Sequence, residues 1–122
     1  MFNVSRTQHV LAVNDFDSAV NYFTEKLGFT LDRTIGGWSF LHLDQFYLMV
    51  GDCQGEVPAR ETNNHALFAY VNCEGIDELF DQYRERGVRF NQTISDKPWG
   101  LREFGVETPE GHRIMFGQEI QA

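Results

Sequence analysis

Gln8-His9-Val10-Leu11-Ala12-Val13-Asn14-Asp15 starts as an apolar strand and breaks at an Asn-Asp pair that can cap a helix. The pattern returns 58 residues later, where Ala66-Leu67-Phe68-Ala69-Tyr70-Val71-Asn72 puts Val71-Asn72 in the place of Val13-Asn14. After the first strand, Phe16, Ala19, Val20, Phe23 and Leu27 fall on one face of a helix that Gly28 stops. After the second, Ile76, Leu79, Phe80 and Tyr83 do the same, and Gly87 stops the helix. Three strand signals follow each helix. In the first half they are 29–33, 38–43 and 46–50; in the second they are 88–92, 102–107 and 113–116. Residues 51–64 are polar, hold Gly55 and Pro58, and read as a linker.

A repeated strand–helix–strand–strand–strand order predicts an α+β protein of two βαβββ units. Each unit covers one sheet face with its helix and leaves the other open. Two such units are expected to curve into an incomplete barrel around a cavity, with function inside it. The domain expected is single, over 1–122, with one repeat over about 5–50 and the other over about 65–118.

Composition narrows the partners. A chain of 122 residues with 42% apolar and 23% charged residues is neither disordered nor fibrous, and needs no disulfide frame to fold. Its 18 acidic residues outweigh 10 basic ones, for a net charge of −8. Such a field repels phosphates, so nucleic acid and anionic membranes are excluded as expected partners, and cationic small molecules are favoured. Cys53 and Cys73 form no metal or redox spacing, no apolar run reaches membrane length, and the N-terminal residues do not read as a secretory signal. The expected setting is the cytoplasm, with reduced thiols.

The candidate ligand-binding residues are Trp38, Phe40, His42, Trp99, Arg102 and Glu103. Trp38 and Trp99 each stand near glycine at a strand edge, where a large ring is hard to bury, and flat rings suit planar cations. Strand alternation puts Trp38, Phe40 and His42 on one face. Arg102 and Glu103 fall on opposite faces of their strand, which lets Glu103 point inward toward a ligand cation or form a rim salt bridge. No Ser–His–Asp or Cys–His arrangement and no glycine-rich phosphate loop is legible, so no catalytic residue is assigned.

Three segments carry a family resemblance: residues 8–15, the helix end Lys26-Leu27-Gly28-Phe29, and Thr108-Pro109-Glu110-Gly111-His112-Arg113. Across residues 5 to 118 the chain resembles the vicinal oxygen chelate superfamily, which includes glyoxalase I, extradiol dioxygenases and bleomycin resistance proteins. The segments 37–43 and 98–104 resemble the bleomycin resistance branch. That resemblance implies a homodimer that sequesters a planar, cationic, bleomycin-like antibiotic or metabolite without modifying it. The alternative it leaves open is a metal-dependent glyoxalase-, lyase- or dioxygenase-type enzyme.

In the superfamily's enzymes a divalent metal is held by His, Gln or Glu side chains. Carried over, the first ligand position is Gln8, and the position opening the second repeat is His65 or Ala66. The final carboxylate position is Met115, and its first-repeat counterpart falls near Leu48-Met49. A thioether is a poor ligand for hard divalent ions, so the expectation is a metal-free protein without a cofactor, and Gln8 and His65 serve only the alternative reading.

Overall fold

The computed structural model describes residues 1–121. It divides into two compact units, one ending at Glu56 and the other starting at Val57.

In the first unit, β1 (His9–Val13) leads into helix α1 (Phe16–Asn21), and Asp15 caps the helix by accepting the Ser18 amide at 3.2 Å. The helix widens over Tyr22–Lys26 into a π-turn, closed by the Leu27 amide on the Tyr22 carbonyl. Thr24 sits in that turn and its hydroxyl donates back to the Val20 and Asn21 carbonyls, an insertion that loosens a helical ladder. Three antiparallel strands follow: β2 (Thr30–Ile35), β3 (Trp38–Leu43) and β4 (Phe46–Asp52). Gly36 and Gly37 both take positive φ, at 56° and 81°, which a two-residue hairpin requires.

The sheet order is β1-β4-β3-β2. The helical crossover lets β1 lie parallel to β4, with Leu11 opposite Val50 and Val13 opposite Asp52. Leu11, Val13, Leu41, Leu48 and Val50 are buried in the core of this unit, as are Phe23, Leu27 and Phe29. Burying each contributes roughly 1.5–3 kcal/mol.

The second unit repeats the plan. Two short 3₁₀ turns (Ala59–Glu61 and Asn63–Ala66) precede β5 (Leu67–Asn72), helix α2 (Ile76–Glu85), β6 (Phe90–Asp96), β7 (Leu101–Glu107) and β8 (Arg113–Glu119). The sheet order is β5-β8-β7-β6. Helix α2 starts after Gly75, which has no side chain to cap it; the Gln118 carboxamide oxygen accepts the Ile76 amide at 2.9 Å instead. Phe104 lies at the centre of the core, against Phe80, Phe90, Tyr83 and Phe116.

Sequence and structure differ at several boundaries. The segment read as a linker from residue 51 still belongs to β4 at Gly51 and Asp52, because that end of β4 pairs with Ala12 and Val13. The strand expected over 88–92 instead runs from Phe90 to Asp96. It is an edge strand with two register shifts, so its side chains lose the period-two pattern by which strands are read. Among the described residues, no helix is long and apolar enough to cross a membrane.

Candidate functional site

Each sheet has a face turned away from its helix, and the two faces carry different chemistry. In the first unit, alternation along β3 buries Ser39 and Leu41 toward the helix and turns Trp38, Phe40 and His42 outward. Trp38 is 36% exposed and its indole lies flat over Gly51; a Cβ at Gly51 would stand 2.9 Å from two of its ring carbons. Phe40 lies opposite Met49 and carries the Arg33 guanidinium 5.7 Å from its ring centre.

His42 presents Nδ1 to Asp32 Oδ2 at 2.8 Å, so Nδ1 carries a proton and Nε2 is left for another partner. Asp32 falls where β2 shifts register between Leu31 and Arg33. The His42 ring also tilts against Tyr47 at 5.9 Å, and Arg6 covers Tyr47 at 4.3 Å. His9 belongs to the opposite face, edge-on to Phe46 at 5.2 Å.

In the second unit the centre of the open face is Glu103. Its side chain is 6% exposed, yet no Lys, Arg or His among the described residues forms an ion pair with it. Two neutral donors hold it. The Tyr70 hydroxyl donates to Oε2 at 2.7 Å, and the Trp99 indole N–H donates to the same oxygen at 3.2 Å. Burial, and then the hydrogen bond to Glu103, push the Tyr70 phenol up to about 12, so it remains a donor at neutral pH.

Tyr70 sits over Gly117 as Trp38 sits over Gly51: a Cβ at Gly117 would fall 2.6 Å from the phenol Cζ. Trp99 projects from the turn between β6 and β7, closed by the Gly100 amide on the Lys97 carbonyl at 3.0 Å, and stays 64% exposed.

Arg102 is not brought to this face. It lies on the helical side, with Nη1 2.9 Å from Asp77 Oδ1 on α2 and Nε 2.6 Å from Asp96 Oδ1. These carboxylates hold the guanidinium protonated, and the hydrogen bond from Arg102 pulls the Asp96 carboxyl below its ordinary value. Trp99 and Glu103 thus come together, as do Trp38, Phe40 and His42, within their separate units. Sequence reading missed Tyr70 and Asp32. Alternation next to the buried Ala69 would have put Tyr70 on the open face, but its bond to a residue 33 positions away has no local signature.

The side chains at the expected metal positions are Gln8, His65 and Met115. Gln8 precedes β1, and His65 is exposed in a 3₁₀ turn. Met115 faces outward opposite Gly105 and Tyr70. In the first repeat, Met49 lies opposite Val10 and Phe40, and neither Leu48 nor Met49 offers a hard donor. Among the described residues, no three His, Cys, Asp or Glu side chains converge as a metal site. A separate acidic hollow of about 390 Å³ beside α1 is lined by Asn14, Asp15, Phe16, Asp17, Asp52 and Gln54, and holds none of the candidate residues.

Comparison with known proteins agrees with this architecture. Residues 6–116 match the family model of the Glyoxalase/Bleomycin resistance protein/Dioxygenase superfamily. The chain is 25% identical over 125 residues to a bleomycin resistance protein of Geobacillus stearothermophilus, covering 92% of this chain and 95% of that one. A crystal structure of a glyoxalase/bleomycin resistance protein/dioxygenase from Alicyclobacillus acidocaldarius superposes with a TM-score of 0.82 at 18% identity, covering 96% of this chain and 92% of that chain. TioX from Micromonospora sp. ML1 superposes with a TM-score of 0.72 at 28% identity, covering 97% of this chain and 98% of that chain.

Proposed function

The chain belongs to the Glyoxalase/Bleomycin resistance protein/Dioxygenase superfamily, and we propose that within it the protein binds and sequesters a planar, cationic small molecule of the bleomycin type without modifying it. The observation that carries this reading is the buried Glu103 carboxylate, held only by neutral donors, beside the exposed Trp99 ring. A buried carboxylate is stabilised by a cation, and here the ligand supplies it. Trp99 supplies a stacking surface in the second unit, and Trp38 and Phe40 supply one in the first. His42, oriented by Asp32, offers Nε2 to a ligand donor. Arg102 acts on this site only through its strand, keeping β7 against α2 and the end of β6.

Sequestration needs no metal here, and neither Met115 nor Leu48-Met49 at the expected ligand positions offers a hard donor. The acting species is a symmetric homodimer of about 28 kDa, twice the 14.1 kDa chain.

Calorimetric titration with bleomycin tests the site. Trp99→Ala removes one stacking ring and should weaken binding about fivefold, from about 1 kcal/mol beyond the lost area. A rim carboxylate would act mainly at low salt, whereas the buried Glu103 is screened little, so Glu103→Gln should weaken binding at all salt concentrations. Full affinity in both variants would remove this face from the binding site.

A further inference from the structure

We propose that Tyr70 makes the Glu103 site selective for a ligand ammonium over a ligand guanidinium or amidinium. This inference rests on the proposed ligand-binding function and assigns a role to a residue outside the candidate set.

A carboxylate has two oxygens, and a guanidinium grips it best by bonding both at once with parallel N–H groups. In this protein Oε2 already accepts two hydrogen bonds, 2.7 Å from the Tyr70 hydroxyl and 3.2 Å from the Trp99 indole. Among the described residues no donor reaches Oε1. One oxygen is therefore open and the other is closed.

An ammonium needs one oxygen and directs its remaining protons elsewhere. A guanidinium would have to displace Tyr70 or Trp99, or bind through a single N–H and leave other donors unpaired in a buried place. Displacing Tyr70 is opposed by its position: the ring is seated over Gly117, and its raised phenol pKa of about 12 keeps it protonated and donating. The guanidinium is also the less strongly hydrated cation and enters apolar sites more readily. A preference for ammonium would thus run against the general tendency, which makes it diagnostic.

The test uses three matched probes on the full chain: 2-naphthylmethylammonium, 2-naphthylmethylguanidinium and neutral 2-naphthylmethanol. Affinities are read by NMR titration of the Trp99 indole N–H resonance. The ammonium should bind about tenfold or more tightly than the guanidinium, the equivalent of one hydrogen bond to a charged group. Tyr70→Phe opens a lone pair on Oε2 while keeping the ring, and should shrink that ratio to threefold or less. Glu103→Gln should bring all three probes to similar affinity, and it tests the carboxylate even if the Tyr70 variant does not fold. A guanidinium that binds as tightly as the ammonium, or a ratio unchanged in Tyr70→Phe, overturns the proposal. Equal affinity of all three probes for the unaltered protein removes the cation site but leaves a stacking wall at Trp99. No shift of Trp99 with any probe removes both the site and the wall.

Discussion

Gly117→Ala should change the sign of its effect on stability when Tyr70 is removed. Gly117 has no positive φ, so its backbone accepts an alanine, and replacing glycine at such a position stabilises a protein by about 0.4–1 kcal/mol through the unfolded chain. In the intact protein another contribution outweighs this gain. The new Cβ would lie 2.6 Å from Tyr70 Cζ and 3.1 Å from Cε1, far inside ordinary contact, so the phenol must leave its seat. It then loses its hydrogen bond to the Glu103 carboxylate, which contributes about 1.5–3 kcal/mol. Tyr70 is 42% exposed, so water recovers part of that loss and the lower half of the range applies. Net destabilisation should be about 0.5–2 kcal/mol, a fall of a few degrees in the unfolding midpoint. With Tyr70→Ala as the background the phenol contacts are gone, and Gly117→Ala should stabilise by about 0.5 kcal/mol. Thermal and urea unfolding of the four variants measure the cycle. The same sign in both backgrounds would refute the seating of Tyr70 on Gly117 and its tie to Glu103.

Three further outcomes are expected. Gly51→Ala should push the Trp38 indole off the sheet by about half an ångström or more, since 2.9 Å contacts must relax; stability should change by less than about 1 kcal/mol, and Trp38 emission should shift red in a Trp99→Phe background. Gly111→Ala should cost about 3 kcal/mol in urea unfolding, because Gly111 has φ 94° and a Cβ would meet the Arg60 backbone at 2.6 Å. In alkaline titration at 295 nm, Tyr22 and Tyr70 should ionise near pH 12, Tyr22 because burial alone raises it. Both folded values lie above the ordinary 10, so the associated stability is complete below pH 10 and is lost as pH rises through about 12. Glu103→Gln should lower the Tyr70 value and leave Tyr22 in place.

The repeat was legible because its markers are local. Strand β3 was readable at both ends: Gly36-Gly37 begins it and Asp44-Gln45 ends it, and Asp44 takes φ 50° in that turn. Gly51 misled for the opposite reason. A glycine after an apolar run reads as a break, but this one is a floor for a ring thirteen residues back, and only the β3–β4 register shows it. The helix face from Phe16 to Leu27 was visible, whereas its π-turn depends on the Thr24 hydroxyl entering the ladder.

At the candidate site, alternation was enough to group Trp38, Phe40 and His42 and to separate Arg102 from Glu103. The partners were not legible. Asp32 reaches His42 from a register shift, Tyr70 reaches Glu103 from another strand, and Asp77 reaches Arg102 from a helix. Pairings made across elements leave no spacing in the chain to read.

The claim that this protein holds its ligand unchanged is tested most directly by the mass of the ligand it gives back. Bleomycin is incubated with the protein, the complex is isolated by size exclusion, and the ligand released on denaturation is weighed by mass spectrometry. Bleomycin should co-elute with the protein and return at its original mass. A ligand of altered mass would show catalysis, and bleomycin that elutes entirely free would contradict sequestration of this class of molecule.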